Sequence, residues 1–245
     1  MPKVGVVMTV WNPCNVEWLR NAVKCILKQT HTDWHFVIID DGSDEPIEPL
    51  IRDLVADHRI DLHRMDKHDY LGDAINSGLK KLEEDCMYET WFAFDDELYP
   101  MALEAMSKRL DETGNDIAYG NCDEEFNGEY VPWLTASFRP GEKRISFNRH
   151  YNKNDFKNNW FLGIAFMWRR NSRVMAGPWF WSAQYELYEL FLKIEELGKP
   201  FDYVNSPLAL HREHTKTLTS RNRVDPEAAG HMNRLRSEMK ARRGL

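Results

Sequence analysis

The stretch Lys3-Val-Gly-Val-Val-Met-Thr-Val-Trp-Asn12 decides the fold together with a second one, Phe36-Val-Ile-Ile-Asp-Asp-Gly-Ser43. Each is a short run rich in β-branched residues that ends in polar or turn residues, which is typical of a buried parallel strand. Residues 15–28 between them repeat apolar side chains at helical spacing, and Asn15 is a candidate N-cap. The segment therefore predicts a β-α-β unit at the start of an α/β fold.

Polar side chains follow both predicted strands and a third one further along the chain. They are Thr9 and Asn12 after the first run, Asp40, Asp41 and Ser43 after the second, and Asp95 and Asp96 after the apolar run 91–94. Ligands of open α/β sheets bind in the crevice outside the carboxyl ends of the strands, so we expect these side chains to share one rim. A rim of this composition points to a nucleotide and a metal ion.

The remaining pattern continues the α/β alternation. It predicts helices over 46–58, 72–84, 101–113 and 182–197, strands over 60–63 and 117–120, an apolar run over 161–168, and a hairpin or mobile loop over 121–159. At 245 residues the chain is long enough for one large domain of this class, and no internal repeat is visible.

Charge and cysteine usage limit the classes of partner. The net charge of −7 disfavours a polyanion as the main partner, because nucleic-acid binding depends on clustered Lys and Arg. The basic segment 212–243 is an exception, and it reads either as a solvated helix face or as a dock for membrane phosphates or nucleic acid. Four widely spaced cysteines indicate neither a zinc site nor a disulfide framework. With no transmembrane or signal pattern, these features predict a soluble cytoplasmic protein.

The two acidic turns each have two interpretations. The turn from Asp40 to Ser43 could accept hydrogen bonds from a nucleobase or ribose, or it could be an ordinary turn that caps a helix. Adjacent carboxylates such as Asp95 and Asp96 repel each other unless a cation lies between them, and Mg²⁺ or Mn²⁺ bound to a diphosphate would supply one. The alternative for this pair is a helix cap ahead of Pro100, which needs only one carboxylate.

Seven short motifs follow one another in a characteristic order. They are Met8-Thr-Val-Trp-Asn12, Gln29-Thr30, Asp40-Asp41-Gly-Ser43, Gly72 with Asn76, Phe94-Asp95-Asp96, an apolar run ending in Arg169-Arg170, and Arg212-Glu-His214. This combination resembles the family 2 glycosyltransferases of GT-A fold over residues 1–214, and the start of the chain especially resembles the small bacterial spore-coat polysaccharide enzymes of that family. The resemblance implies a mixed, mostly parallel central sheet with helices on both faces.

The resemblance also implies roles for particular positions. In that family the equivalents of Thr9 and Asp41 hold the nucleobase and ribose of the donor, and the equivalents of Asp96 and His214 bind the metal, Mn²⁺ or Mg²⁺. With the strand-end positions, the donor-binding set becomes Thr9, Val10, Asn12, Asp41, Asn76, Asp95 and Arg170. Residues 1–120 would form the nucleotide-sugar-binding half, 121–214 the acceptor-binding half, and 215–245 a basic tail.

The catalytic base is where the chain departs from the family. The family usually has Glu-Asp about eleven residues before a Gly, and counting back from Gly198 gives Glu186-Leu187. Leu187 therefore replaces the usual Asp. We assign the base to Glu186, with Glu189, one helical turn on, as the alternative.

The resemblance implies a metal-dependent inverting glycosyltransferase that transfers sugar from a nucleotide-diphosphate sugar, UDP-linked by preference, to an acceptor hydroxyl of a glycan. The aromatic residues Trp160, Phe161, Trp179, Phe180 and Trp181 would contact the acceptor or pack in the core. Two alternatives stay open: a transferase acting on modified nucleic-acid bases through the basic tail, and a non-catalytic sugar-nucleotide binder, which Leu187 would permit. A nucleotidyltransferase is disfavoured because residues 12–15 lack a Gly-rich basic loop.

Overall fold

The computed structural model describes residues 2–68, 71–126, 129–131, 163–176, 186–198 and 201–214, together with 234, 237, 238 and 241. Its strands are β1 (Val4–Val10), β2 (Trp34–Asp40), β3 (Ile60–Arg64), β4 (Tyr88–Ala93), β5 (Glu97–Leu98), β6 (Ile117–Phe126), β7 (Glu129–Val131), β8 (Phe166–Arg169) and β9 (Phe201–Glu213). Its helices are α1 (Val16–Leu27), α2 (Glu48–Ile51), α3 (Leu71–Lys81), α4 (Ala102–Thr113), α5 (Arg170–Ala176) and α6 (Glu186–Glu196).

The described strands form one sheet in the order β3-β2-β1-β4-β8-β6-β9-β5, and β7 pairs with β6 off this path. The pairs β1–β2, β1–β4, β2–β3 and β6–β9 are parallel and make up the longest ladders, whereas β8, β5 and β7 pair antiparallel with their neighbours. The predicted mixed, mostly parallel α/β sheet is therefore confirmed. The register aligns Val10 with Asp40 and Thr9 with Ala93, so β1, β2 and β4 end at the same edge.

Helices cover both faces of the sheet. Side chains alternate along a strand, so Val6 and Met8 of β1 pack with α1 and α4 on one face, while Val7 packs with α3 and α6 on the other. On the second face α3 approaches closely through Gly78, where a Cβ would lie 2.4 Å from a methyl carbon of Val7. The two cores hold the strand ends in fixed relative positions.

The predicted helix over 46–58 is wrong beyond its first turn, because α2 ends at Ile51. The carbonyl of Leu50 accepts a hydrogen bond from Arg20 Nη1 at 2.7 Å, and the N–H of Leu54 turns to the carbonyl of Ile51 at 2.8 Å. A side chain of α1 thus takes an acceptor that a continuing helix would use. The following residues form turns instead.

The predicted strand over 117–120 is confirmed but too short. β6 continues to Phe126 beside β9 through a register shift between Gly120 and Cys122, and it turns back into β7. The hairpin predicted in 121–159 is therefore present as β6–β7, whereas residues 132–162 lie outside the described residues. In the described part of the apolar run, residues 163–168, the strand begins at Phe166, and the described part of the predicted helix over 182–197 is α6.

Two further predictions concern the chain as a whole. β6 runs through residue 120, so one sheet contains strands from both proposed halves of the 1–214 domain. The basic tail, 215–245, lies outside the described residues apart from four positions. Among the helices described, none is long and apolar enough to cross a membrane.

Candidate active site

The turn after β2 is built on Asp40. Its Oδ1 accepts from the N–H of Ser43 at 3.0 Å, and its Oδ2 accepts from Arg64 Nη1 at 2.8 Å and from the N–H of Ile47 at 3.3 Å. Asp40 is buried, and these bonds use both of its oxygens inside the protein. Asp40 therefore stabilises the turn, as in the interpretation of 40–43 as an ordinary turn that caps a helix.

Asp41 is the carboxylate of this turn that contacts the loop after β3. Its N–H donates to the carbonyl of Val10 at 2.8 Å, which links the ends of β2 and β1. Its Oδ2 lies 2.9 Å from Nδ1 of His68, and the ring of His68 stacks on the indole of Trp11. Gly42 follows at φ 63°, a conformation that favours glycine.

The loop after β1 is tied to the same turn. The N–H of Asn12 donates to Ser43 Oγ at 3.0 Å, and its side-chain amide exchanges two bonds with Asp44, at 2.9 and 3.0 Å. Thr9 Oγ1 accepts from Trp91 Nε1 at 3.2 Å, which connects β1 to β4. The side chain of Val10 is buried in the core, so its backbone is the part that lies at the rim.

The acidic pair, Asp95 and Asp96, follows the carboxyl end of β4. Both of its carboxylates contact residues at the end of β9 or just after it. Asp95 Oδ2 lies 3.0 Å from His214 Nε2. Asp96 Oδ1 accepts from the backbone N–H of Arg212 at 3.1 Å and lies 2.9 Å from His211 Nδ1. The structure thus places His214 against Asp95 and places His211, which the sequence analysis missed, against Asp96.

Burial and mutual repulsion dominate the electrostatics of the pair. Burial raises the pKa of Asp95 above its usual range, the charge of Asp96 raises it further, and the bond to His214 opposes both. Burial alone would lower the pKa of His211, but the neighbouring charges of Asp96, Asp95 and Glu124 raise it to about 9. The carboxylates around His211 thus favour the protonated form of its imidazole.

The buried side chain of Arg212 binds residues next to the acidic pair. Its guanidinium binds the carboxylate of Glu97, that of Glu125 at 3.3 Å and the carbonyl of Asp95 at 3.0 Å. Its side chain is only 7% exposed. Arg212 thus fastens the turn after β4 to β6 and β9, a role that its place in the Arg-x-His motif did not reveal.

The described residues contain no group of three or more His, Cys, Asp or Glu arranged as a ready metal site. A site for Mg²⁺ is commonly built from one or two carboxylates plus the phosphates of a substrate. Two carboxylates and one imidazole therefore provide enough protein ligands for such an ion when a diphosphate supplies the others. Carboxylate oxygens are ligands that suit Mg²⁺ and Mn²⁺.

Comparison with known proteins decides the family. The model of glycosyl transferase family 2 matches residues 5–175. The chain belongs to glycosyl transferase family 2. An uncharacterised glycosyltransferase of Rickettsia bellii is 31% identical over 137 residues, which is 55% of this chain and 19% of that protein. Glycosyltransferase GlyA of Streptococcus pneumoniae is 30% identical over 120 residues, 49% of this chain and 16% of that protein. The chain thus spans about a fifth of the length of these relatives.

Solved structures show the same fold. TarS 1–349 of S. aureus in complex with UDP-GlcNAc superposes with a TM-score of 0.76 over 97% of this chain and 66% of that one, at 15% identity. The same protein in complex with UDP gives a TM-score of 0.64 over 97% of this chain and 70% of that one, at 14% identity. This family 2 glycosyltransferase therefore has the GT-A fold.

Arg170 does not lie at the candidate site. β8 runs antiparallel to β4 and pairs Arg169 with Tyr88, so Arg170 lies at the start of β4, at the edge opposite the acidic pair. There its Nη1 donates to the carbonyl of Glu83 at 2.7 Å. The sequence placed it beside the diphosphate because the direction of β8 could not be foreseen.

The remaining predicted residues lie on helices or outside the described residues. Asn76 lies on α3, which packs on β1 and β2. Glu186 is the first residue of α6, and its role as base stays a prediction, as does the alternative, Glu189. The five aromatic candidates for acceptor contact lie outside the described residues.

Proposed function

We propose that the chain is a metal-dependent inverting glycosyltransferase that moves a sugar from a nucleotide-diphosphate sugar, UDP-linked by preference, to an acceptor hydroxyl of a glycan. The observation that carries the proposal is the meeting of three strand ends with the acidic pair and His214. The nucleoside would contact the ends of β1 and β2 and α3, through Thr9, Val10, Asn12, Asp41 and Asn76. The diphosphate would lie toward Asp95 and Asp96.

The spacing of the donor atoms supports a metal ion at Asp95, Asp96 and His214. Two adjacent ligands of an octahedral ion at about 2.1 Å lie about 3.0 Å from each other. Asp95 Oδ2 and His214 Nε2 are 3.0 Å apart. The hydrogen bonds of Asp96 to His211 and to the N–H of Arg212 both fall on Oδ1, so Oδ2 is the oxygen that we assign to the ion. A bound cation would also relieve the repulsion that raises the pKa of Asp95.

The chemistry needs an acid–base partner as well as the ion. When bound, Mn²⁺ or Mg²⁺ supplies positive charge that stabilises the departing diphosphate. The acceptor oxygen attacks the anomeric carbon from the face opposite the leaving group, the bond from that carbon to the diphosphate oxygen breaks, and the nucleoside diphosphate leaves with the electron pair. The acceptor proton passes to Glu186, or to Glu189. Attack from the opposite face inverts the anomeric configuration.

The donor preference rests on two observations. TarS, with the same fold, has been solved with UDP-GlcNAc and with UDP. In this chain the acceptor-only carboxylate of Asp41 lies where the nucleobase would be, and it suits a base with a ring N–H such as uracil. A non-catalytic sugar-nucleotide binder would share this site, and Leu187 is the observation that keeps this second candidate open.

Calorimetric titration of UDP, GDP, CDP and ADP, with and without Mn²⁺, tests the proposal. We expect UDP to bind with Mn²⁺ and to lose that metal dependence in Asp96→Ala. Asp85→Ala is the matched control, because Asp85 is an exposed carboxylate bound to Lys3 at the opposite edge of the sheet. If none of the nucleotides binds, the proposal fails. If UDP binds but Glu186→Gln and Glu189→Gln both leave the rate of sugar transfer unchanged, the assigned base is wrong.

A further inference from the structure

Trp11, His68 and Asp41 form a compact group at the carboxyl ends of β1 and β2. The rings of Trp11 and His68 are stacked with their centroids 3.9 Å apart and their planes within 8° of parallel. Nδ1 of His68 lies 2.9 Å from Oδ2 of Asp41. Because a carboxylate offers only acceptors, the imidazole is the donor in this bond. His68 thus combines a flat ring on an indole with an N–H directed at a carboxylate.

A nucleobase such as uracil would make the same two interactions at this place. Its ring presents a flat face for stacking on an aromatic side chain, and its ring N–H is a donor for the carboxylate of Asp41. Trp11 is 38% exposed and the His68 side chain 44% exposed, so both rings lie at the solvent edge of the crevice. The carboxylate of Asp41 is almost fully buried beneath them.

The backbone brings His68 into this position. The loop after β3 passes so close to the turn at Gly42 that a Cβ there would lie 2.3 Å from the N atom of His68 and 2.3 Å from the carbonyl carbon of Lys67. The N–H of Met65 also donates to the carbonyl of Asp40 at 2.8 Å. The backbone of this loop is therefore held against the turn, whereas the half-exposed ring of His68 can leave by rotation of its side chain.

We propose that His68 is a specificity-determining residue that occupies the nucleobase subsite in the free protein and is displaced when the donor binds. This inference rests on the proposed function, which places the nucleobase at Asp41. Only a base that replaces both the stack on Trp11 and the N–H at Asp41 displaces His68 without loss. Uracil and guanine carry such a ring N–H, whereas the corresponding ring nitrogens of cytosine and adenine are acceptors, so the exchange favours UDP and GDP.

The affinity of UDP for His68→Ala tests this inference. If the ring fills the subsite for about 70–90% of the time, it weakens the apparent affinity about three- to tenfold, and its removal restores that factor. We therefore expect His68→Ala to bind UDP about three- to tenfold more tightly than the wild type. His68→Phe keeps a ring for the stack but lacks the donor to Asp41, so we expect a smaller gain. His58→Ala is the control, since His58 is 92% exposed at another surface.

Titrations without Mn²⁺ separate this inference from the metal site. The gain in His68→Ala arises at the base and should persist without the ion and with uridine in place of UDP. Weaker binding by His68→Ala would show that His68 contacts the bound base, and unchanged binding would show that its ring does not fill the subsite; either result overturns the inference while leaving the proposed function standing. Absence of UDP binding by both wild type and His68→Ala overturns both.

Discussion

At the scale of single residues, identical neighbours have different roles because their surroundings differ. Asp40 uses both carboxylate oxygens to hold its own turn and Arg64, whereas Asp41 lies against His68. The acidic pair divides similarly: Asp95 contacts His214, and Asp96 contacts His211 and Arg212. The sequence identified both pairs as candidates, but only the partners from distant segments assign each carboxylate its role.

The backbone at Gly42 leaves no room for a side chain, and a substitution there should measurably lower the stability of the protein. The φ of 63° at this residue and the close approach of Lys67 and His68 leave no room for a Cβ, so we expect Gly42→Ala to lower the free energy of unfolding by about 3 kcal/mol or more. Gly114→Ala is the matched control: its φ is 71° but a Cβ there meets nothing within 4 Å, so we expect a loss of only about 1 kcal/mol. Urea denaturation measures both, and equal losses would contradict the close approach.

Arg212 is a second residue whose substitution should lower the free energy of unfolding. Arg212→Gln leaves Glu97 and Glu125 without their buried cation, and breaking a buried pair of this kind costs about 3 kcal/mol. Arg52→Gln removes an exposed arginine paired with Glu48 one turn away, and we expect it to leave the free energy of unfolding almost unchanged. Thermal and urea unfolding compare the two variants. A loss for Arg212→Gln as small as that for Arg52→Gln would show that the guanidinium does not fasten the turn after β4.

At the scale of elements, the sequence predicts the ends of a helix well where residues close in sequence accept or donate the hydrogen bonds of its backbone. α1 begins after Asn15 as predicted, because the Asn15 side chain accepts from the N–H groups of Glu17 and Trp18. α2 fails as a prediction because its deciding contact, Arg20 to the carbonyl of Leu50, joins residues 30 apart. The direction of β8 places Arg170 at the edge opposite the acidic pair. This direction is likewise set by the pairing of β8 with β4 and not by a local sequence pattern.

The turn that leads into β3 gives a prediction for pH dependence. Bonds from the side chain and backbone of Arg59 lower the pKa of Asp57 to about 2, below its ordinary value of 3.8. A carboxyl group with a lowered folded-state pKa stabilises the protein above the unfolded value, and this contribution is lost as the pH falls through about 2. We expect Asp57→Asn to lower the free energy of unfolding by about 1 kcal/mol at pH 7, with a smaller difference at each step below pH 4.

Unfolding measured from pH 7 to pH 2 on wild type and variant checks this expectation. Asp66→Asn serves as the control because Asp66 is an exposed carboxylate in the loop after β3. A difference between Asp57→Asn and wild type that stays constant across this range would contradict the assigned bond to Arg59.

At the scale of the whole molecule, the order of the motifs predicted the fold class and the edge of the sheet at which β1, β2 and β4 end, since parallel strands have their carboxyl ends at one edge. That order did not predict the contacts that complete the crevice. Arg212 reaches Glu97 and the carbonyl of Asp95 across separations of 115 and 117 residues, and His214 reaches Asp95 across 119. Such partners depend on how β9 lies beside β5 and β6, which no local spacing in the sequence expresses.

The central claim is that one crevice holds the nucleotide at Asp41 and a metal ion at the acidic pair. A crystal structure of the protein with UDP and Mn²⁺, with anomalous diffraction recorded at the manganese edge, tests it most directly. We predict one manganese peak about 2.1 Å from ligand atoms of Asp95, Asp96 and His214, with the diphosphate bound to it and the uracil at Asp41. A manganese peak elsewhere, or UDP bound with no manganese at these residues, would contradict the account.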